Sequence, residues 1–335
     1  MLFSLLVSLL LIAQCIGNQA FAAQPKEPAL AENFYGVSIV GDHVWIVGYY
    51  GTILYSQNRG QTWRKQKSPT RNALFASHFL DRQRGWIAGS YGTLLRTDNG
   101  GESWQAVPTG TTEHLLRLTF IDEQSGWAVG SRALALRTHD GGRKWTKSQL
   151  AGGFTVGDIG FIDPQRGWLA GEFGVIYRTN DGGDTWNKQP SPVEVAFASG
   201  ENRNLFALLF PDRATGFAFG LDGVILKTAG GSDWQVVRDK GSGPSHHLFA
   251  ATAHNDRLWA VGERGIFLQA AADGLDWRPV KAATPRLTLN SIAFGGSGLG
   301  LIVGNRGTVL RSANDGATWS TLKLQLDRPP ENSKP

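Results

Sequence analysis

The sequence contains very little cysteine, and this absence removes two classes of site. Its 335 residues include one cysteine, Cys15, so the chain can form neither an internal disulfide nor a multi-cysteine zinc site. Charged residues make up 18% of the chain, and the apolar run at residues 1–13 is too short to cross a bilayer as a helix. The composition therefore excludes a disulfide scaffold, a highly charged disordered chain and a helical membrane bundle.

The beginning of the chain differs from the rest. Residues 1–13 are almost wholly apolar, and an A-x-A cleavage site ends at Ala22. This pattern predicts a secretory signal peptide and an exported protein, located in the periplasm, or in the thylakoid lumen if the host is photosynthetic. Cys15 follows a lipobox-like stretch, but Gln14 stands where a small residue is expected, which argues against a lipid anchor.

Glycine and tryptophan are abundant, with 43 and 12 residues, and both recur at a fixed period. A short apolar stretch ending in glycine occurs seven times, and its glycines are 41 or 42 residues apart with one gap of 49. Each tryptophan falls in one of two repeat positions. A period of about 40 residues is typical of a repeat architecture built from one supersecondary unit. The anchoring glycines are Gly48, Gly89, Gly130, Gly171, Gly220, Gly262 and Gly304.

Each repeat reads as four short strands, here called a, b, c and d. In the second repeat they cover 74–80, 86–88, 93–97 and 103–107, with Gly-rich or polar turns between them. The sequence therefore predicts an all-β fold, a seven-bladed β-propeller of four-stranded antiparallel blades with Asp-box corners. Because the first and last repeats both contain all four strands, we expect the ring to close without strand exchange. The predicted organisation is a signal peptide over 1–22, a lead segment over 23–33, the propeller over 34–326 and a disordered tail over 327–335.

The corner between strands c and d carries the Asp-box pattern S/T-x-D/N-x-G-x-x-W, as in 97–104. Its short polar side chains can bond the backbone of the corner, its glycine permits a left-handed conformation, and its tryptophan can plug the corner into the blade. We predict a structural role for all seven corners. A calcium loop is disfavoured because no bidentate glutamate follows at a suitable spacing. The corner tryptophans are Trp63, Trp104, Trp145, Trp186, Trp234, Trp277 and Trp319.

Asp-box propellers include sialidases, whose activity depends on a defined catalytic set. A sialidase needs three arginines that grip a carboxylate, yet the predicted first strand, Phe34–Val40, contains none. Glycosidases in general need two facing carboxylates, and Asp158 is the one acidic residue at the predicted channel positions of the strands a. We predict no catalytic residues. Arg117 is expected to pair with Asp158, and His78 to be an interior histidine.

Arginine recurs immediately before the Asp-box. The strands a of the same blades end in aspartate, which favours a pair such as Arg96 with Asp81 that locks each blade. The alternative is a functional ring of cations. Blade seven lacks the aspartate, so Arg311 is predicted to be unpaired and available to a partner. The other pairs would be Arg137 with Asp122, Arg178 with Asp163 and Lys227 with Asp212.

The opposite face is formed by the b–c turns and by the connections from strand d to the next strand a. The turns present aromatic residues and arginines, which binding surfaces use as anchors, although hairpin tips also tolerate many residue types. The connections carry more net positive charge than the +5 of the whole chain, so this face should steer acidic partners. The predicted partner-binding residues are Tyr49, Tyr91, Arg132, Phe173, Arg264 and Arg306 in the turns, and Lys65, Lys67 and Arg286 as steering charges.

Repeats such as 167–186, of the form Gly-Trp-x-x-Gly-x-x-Gly followed by Arg-Thr-x-Asp-Gly-Gly-x-Thr-Trp, resemble the photosystem II stability/assembly factor family. The resemblance covers residues 34–326. It implies an exported, non-catalytic propeller that binds membrane-protein intermediates through an arginine-rich surface. The expected partner is an integral membrane complex with an acidic exposed segment, bound peripherally, without nucleic acid, metal or cofactor. The alternatives are a sialidase-like glycoside hydrolase and a lectin-like propeller that binds a carbohydrate or another small ligand.

Overall fold

The computed structural model describes residues 32–239, 246–282 and 285–326. The predicted signal peptide with Cys15, nearly all of the lead segment and the predicted tail lie outside the described residues. The described chain forms seven sheets, each of four antiparallel strands that follow one another in sequence. The first strands of neighbouring sheets contact one another in a closed cycle, from the first sheet round to the seventh and back. The predicted seven-bladed propeller is confirmed.

In the first four blades the first strand has six or seven residues and the fourth has two to four. Blade one contains β1 (Phe34–Val40), β2 (His43–Gly48), β3 (Ile53–Ser56) and β4 (Arg64–Lys65). Blade two contains β5 (Leu74–Phe79), β6 (Gly85–Gly89), β7 (Leu94–Thr97) and β8 (Gln105–Ala106). Blade three contains β9 (Leu115–Phe120), β10 (Gly126–Gly130), β11 (Leu134–Thr138) and β12 (Thr146–Gln149). Blade four contains β13 (Val156–Phe161), β14 (Gly167–Gly171), β15 (Ile176–Thr179) and β16 (Asn187–Gln189).

The remaining blades repeat the four-strand pattern after a longer connection. Blade five contains β17 (Leu205–Leu209), β18 (Thr215–Gly220), β19 (Ile225–Ala229) and β20 (Asp233–Arg238). Blade six contains β21 (Leu248–His254), β22 (Arg257–Gly262), β23 (Phe267–Ala271) and β24 (Arg278–Pro279). Blade seven contains β25 (Leu289–Phe294), β26 (Gly300–Gly304), β27 (Val309–Ser312) and β28 (Ser320–Thr321).

Helical structure in the described residues is limited to short 3-10 turns. None of them has the length and apolarity needed to span a bilayer. The turns are Tyr49–Gly51, Ser131–Ala133, Glu172–Gly174, Phe197–Ser199, Leu221–Gly223 and Glu263–Gly265.

The core lies between the blades and is organised by the tryptophans of the strands b. Trp86 in blade two stacks on Phe120 in blade three, with ring centroids 3.8 Å apart, and both rings are almost completely buried. Trp45 and Phe79 repeat the contact between blades one and two at 3.7 Å. Stacked aromatic pairs add about 0.5–1.5 kcal/mol to the free energy gained from burial alone. The tryptophan of strand b therefore packs against the next blade as well as within its own blade.

The corner between strands c and d is held by its own side chains. In blade two the Thr97 hydroxyl accepts the backbone N–H of Gly101 at 2.8 Å, and the Asn99 side chain accepts that of Ser103 at 3.0 Å. Blades one, three, four and seven form the same two bonds. Hydrogen bonds from Thr185 keep the pKa of Asp181 below its usual value. The corner tryptophans are buried or half-buried.

Blade seven closes on blade one without exchange of a strand, as the complete first and last repeats predict. The last described residues add one contact at the outer edge of blade one. The backbone N–H of Trp63 donates to the carbonyl of Gln325 at 3.0 Å, and Trp63 forms a single parallel bridge with Leu326. The end of the propeller is thus fastened to its first blade.

Candidate functional site

The strand order gives the ring two different faces. One face carries the b–c turns and the start of every strand a, and is called the b–c face below. The other carries the a–b turns and the c–d corners, and is called the Asp-box face. The channel runs between the two faces and is lined by the strands a.

Each b–c connection contains a turn in which both central residues have positive φ, as in a type I′ turn. The second central residue is glycine in six blades. At Gly92 a Cβ would lie 2.0 Å from the carbonyl oxygen of Thr111, so the neighbouring connection leaves no room for a side chain. Blade three uses Ala133 there, at φ 56°. The first central residues are Tyr50, Tyr91, Arg132, Phe173, Asp222, Arg264 and Arg306, with φ between 51° and 63°.

Type I′ turns favour asparagine, aspartate or glycine at this first position, because a bulky side chain makes the left-handed region costly. Here aspartate occupies one of the seven positions, and aromatic residues or arginine occupy the others. Several of these side chains are highly exposed: Tyr50 by 62% and Tyr91 by 66%, and the side chains of Arg132 and Arg264 by 75% and 71%. Costly backbone conformations that present exposed side chains are a feature of binding sites.

The turns are also tied from blade to blade. The backbone N–H of Tyr91 donates to Nδ1 of His114, the residue just before strand a of blade three, at 3.2 Å. Phe173 donates in the same way to Asn204 at 3.1 Å. The other ties join Asp222 to His247 at 3.1 Å and Arg306 to Asn33 at 3.0 Å. These bonds fix the direction in which each turn projects its side chain.

The structure brings most of the predicted binding residues into one ring. Tyr91, Arg132, Phe173, Arg264 and Arg306 occupy the equivalent turn position in five blades. Phe173 differs from the others, because its ring is half-buried and packs against the core between blades three and four.

Tyr49 lies one residue before the equivalent position. Its ring meets that of Tyr50 edge to face, with centroids 4.4 Å apart. The predicted steering charges lie further out on the same face: Lys67 and Arg286 are exposed, and the amine of Lys65 lies 3.7 Å from Glu32.

Carboxylates make the charge of the b–c face uneven. Nε of Arg132 lies 3.7 Å from Oε1 of Glu113, and Nε of Arg264 lies 3.9 Å from Oε1 of Glu263. Among the residues that the structure describes, no carboxylate lies within ion-pair distance of the exposed Arg306. The positive charge of the turns is therefore least compensated at Arg306 in blade seven, while Asp222 and Glu263 add negative charge in blades five and six.

A shallow groove of about 540 Å³ opens on the same face beside Tyr91. It is lined by Gly92, residues 107–113 and Lys147, and so contains mostly threonine hydroxyls and backbone. One carboxylate, Glu113, and one amine, Lys147, lie on its wall.

The predicted pairs between the repeated arginines and the strand a aspartates are wrong. Asp81 instead closes its own turn, accepting the backbone N–H groups of Gln83 and Arg84 at 2.8 Å. Its second oxygen pairs with the Arg84 side chain at 2.7 Å, and these bonds hold the pKa of Asp81 below its usual value. Asp122, Asp163 and Asp212 close their turns with the same two backbone bonds.

The repeated arginines reach the corner of the following blade. Arg96 donates to the carbonyl of Gly141 at 3.1 Å, and Arg311 donates to that of Arg59 at 2.9 Å. The prediction that Arg311 is unpaired is therefore wrong. The remaining contacts of this kind join Arg137 to Asp184 and Arg178 to Ser232.

The channel contains the predicted ion pair. Nε of Arg117 lies 4.0 Å from Asp158, and burial raises the pKa of that carboxyl. Burial also lowers the pKa of His78 to about 4, so this histidine is neutral near pH 7. In the described part of the chain, no group of three or more His, Cys, Asp or Glu side chains is placed to hold a metal ion.

Residues that sequence reasoning missed line the channel at the b–c face. Every strand a has a register shift at its second residue, which places a β-bulge there in all seven blades. Four of these residues are aromatic. Their recurrence at the second position of the strand was the signal that could have found them. The bulged residues are Tyr35, Phe75, Leu116, Gly157, Phe206, Phe249 and Asn290.

Comparison with family models matches the chain to the photosynthesis system II assembly factor YCF48, over residues 25–98, 97–154 and 149–246. No curated protein sequence matches the chain. Among solved structures, one described as YCF48 bound to D1 peptide superposes with a TM-score of 0.68 at 18% identity, covering 85% of this chain and 93% of that one. YCF48 from Cyanidioschyzon merolae gives 0.67 at 17% identity, with coverages of 86% and 97%.

Glycosidases share the fold as well. The GH74 xyloglucanase from Xanthomonas campestris superposes with a TM-score of 0.69 at 15% identity, over 88% of this chain and 55% of that chain. At such identities the likeness to each solved structure establishes the fold alone.

Proposed function

This chain belongs to the family of the photosynthesis system II assembly factor YCF48, and from that membership we propose that it is an exported, non-catalytic assembly or stability factor. It binds an exposed segment of an integral membrane complex, or of an assembly intermediate, through its b–c face. The observation that carries this proposal is the ring of turns in which aromatic residues and arginines occupy left-handed positions.

A protein segment is the partner that this face fits. Tyrosine and arginine are the residues most often found as anchors in protein interfaces, and cations around them speed the approach of an acidic partner. Tyr50, Tyr91 and Arg132 lie on consecutive blades, and Arg264 and Arg306 precede them around the ring. A solved structure of the same fold is described as YCF48 bound to D1 peptide, which supports a peptide from a membrane protein as the class of partner.

The test is capture of the partner from detergent-treated membranes of the native host, using the tagged mature protein and cross-linking. The variant Arg264→Glu with Arg306→Glu should recover far less of the complex at the same melting temperature. Arg82→Glu with Arg213→Glu is the matched control, because both residues are exposed on the Asp-box face and the charge change is identical. If both variants recover the same amount of the complex, or if the Arg264→Glu, Arg306→Glu protein unfolds, then Arg264 and Arg306 are not part of the binding site.

The alternatives are separated by two further measurements. A glycoside hydrolase of this fold needs two carboxylates across the scissile bond, whereas Asp158 is the one acidic side chain at the channel-lining positions of the seven described strands a. A lectin-like propeller would use the groove beside Tyr91. Turnover of a chromogenic glycoside, or a specific signal on a glycan array, combined with empty capture from membranes would favour one of these readings.

A further inference from the structure

The entrance of the channel at the b–c face has an aromatic wall. Tyr35 of blade one and Phe75 of blade two meet edge to face at 5.5 Å, and Phe206 of blade five and Phe249 of blade six lie 5.1 Å apart. Three of these rings are only half-buried, in contrast to the almost wholly buried residues that precede them in each strand. The bulges lie at the start of the strands a, at the b–c face, and Phe75, Phe206 and Phe249 remain partly accessible there.

A single guanidinium group lies across this entrance. Arg117 starts from blade three and reaches blade six, donating from one terminal nitrogen to the carbonyl of Leu116 and from the other to that of Phe249, both at 3.0 Å. Both acceptors belong to the bulged layer, so the guanidinium lies at the depth of the aromatic rings. Its side chain is 29% exposed.

Arg117 forms an ion pair with Asp158 but is incompletely hydrogen-bonded. A guanidinium group has five N–H donors, and carbonyls accept two of them here. Asp158 lies 4.0 Å from Nε, which is beyond hydrogen-bond distance. Both oxygens of Asp158 already accept backbone N–H groups, from Ile159 and Leu208, at 2.8 Å. Within the part of the chain that the structure describes, the remaining donors of Arg117 make no hydrogen bond.

From this arrangement we propose that the channel entrance is a socket for one acidic side chain, together with the apolar side chain beside it, on an extended segment of the partner. The carboxylate binds the open donors of Arg117, because a planar guanidinium fork is the best match for a carboxylate in a site of low polarity. The neighbouring apolar side chain packs on Phe206 and Phe249. This inference rests on the proposed function, and it adds a central anchor to the outer ring of turns.

The surrounding charges favour an acidic segment over a neutral one. Arg264 and Arg306 stand on the turns of blades six and seven, on the same face as the entrance. A segment that carries carboxylates is therefore attracted to the ring first and placed over Arg117 afterwards. The outer contacts should be screened by salt, whereas the contact inside the entrance should be screened much less.

The test uses the full mature chain and fluorescence anisotropy. The probe is a labelled, C-terminally amidated peptide with one Glu–Phe pair between glycine and serine spacers. Replacing its Glu by Gln, or its Phe by Ala, should weaken binding by about tenfold. The difference between the Glu and Gln peptides should persist at about 0.5 M salt. A Gly–Phe peptide with a free C-terminal carboxylate distinguishes a chain terminus from a side chain, and its tighter binding would overturn the assignment to a side chain.

Two protein variants complete the test. Arg117→Gln with Asp158→Asn removes the charge pair together, so that no buried carboxylate is left unpaired, and it should bind the Glu and Gln peptides equally. Arg117→Lys keeps the charge and loses the fork, and it should bind the Glu peptide several-fold more weakly. Arg84→Gln, on the Asp-box face, is the control. If both Arg117 variants still bind the Glu peptide more tightly than the Gln peptide, as the wild-type protein is expected to do, then Arg117 fills the channel and does not bind the carboxylate.

Capture from membranes separates this proposal from the function on which it rests. Loss of capture with the Arg264 and Arg306 reversal, but normal capture with the Arg117 variants, overturns the socket alone. Failure of the wild-type protein to capture any membrane complex overturns the assembly function, while the peptide titration still decides whether the socket binds carboxylates.

Discussion

Arg311 of blade seven donates from Nε to the carbonyl oxygen of Arg59, in the corner of blade one, at 2.9 Å. The same bond joins Arg96 to Gly141 between blades two and three. Arg59 in turn donates to the carbonyl of Ser297 in blade seven at 2.6 Å. The contact between blades seven and one, where the ring closes, therefore uses the same arginine–carbonyl hydrogen bond as the contact between blades two and three.

Arg311→Gln should destabilise the fold and leave partner capture unchanged. Loss of a half-buried, charge-assisted hydrogen bond between blades seven and one should lower the free energy of unfolding by about 1.5–3 kcal/mol. Urea unfolding measures this effect. Arg306→Gln, on the other face, is the control for stability. A stable Arg311→Gln protein that fails to capture the complex would return Arg311 to the binding site.

Arg306→Asn should stabilise the protein while weakening capture. Arg306 has a φ of 54°, a conformation that costs an ordinary side chain about 1–2 kcal/mol and that asparagine adopts more readily. The backbone bond to Asn33 is retained. Calorimetry should therefore show a higher melting temperature, by about 2–4 °C. Arg82→Asn is the comparison at a residue without positive φ, and a lower melting temperature for Arg306→Asn alone would contradict the argument from strain.

Stability should fall on mild acidification because of His78. Its pKa is lowered from 6.5 to about 4 by burial, so the unfolded chain binds a proton at a higher pH than the folded one. The stabilisation is therefore complete above pH 6.5 and is lost as the pH falls toward 4, by up to about 3 kcal/mol. Urea unfolding at a series of pH values measures the slope. His78→Gln should flatten it and the exposed His139→Gln should not; equal slopes in all three proteins would rule out His78 as the cause.

Lys67→Glu with Arg286→Glu should slow association with the partner and leave dissociation unchanged. Both side chains are exposed and lie away from the ring of turns, so they act at long range. Surface plasmon resonance on the immobilised membrane complex should show several-fold slower association at low salt. The difference should vanish at about 0.5 M salt. A faster dissociation rate would mean that these residues contact the partner directly.

The repeat pattern is enough to predict the blades and the ring of turns. Each tryptophan and each anchoring glycine recurs at the same position of its repeat, so the repeat pattern alone is sufficient to place the strands and turns. The position of Tyr91 or Arg264 on a hairpin tip follows from the glycine after it, because that dipeptide selects the turn. The same reasoning gave the pair between Arg117 and Asp158, which lie in adjacent blades at the same depth of the channel.

What the sequence did not predict are contacts that depend on the rotation between blades. Arg96 and Asp81 lie in the same blade, and a pattern of matching occurrences suggested a pair. Asp81 accepts hydrogen bonds from the backbone of its own turn after strand a. Because neighbouring blades are inclined to each other, Arg96 instead reaches the corner of the next blade. The half-buried position of Phe173 has the same origin, because the packing of blade three against blade four determines how much of the ring is covered.

The seven type I′ turns keep one backbone conformation while their first central residue varies. Each blade contributes one side chain on a similar backbone, and all of these side chains except the half-buried Phe173 project outward, so that position can change while the glycine or alanine after it keeps the fold. From blade one to blade seven, the first central residues of these turns are Tyr, Tyr, Arg, Phe, Asp, Arg and Arg. Under the proposed function, substitution of these seven residues, one blade at a time, can change the partner without any insertion or altered loop.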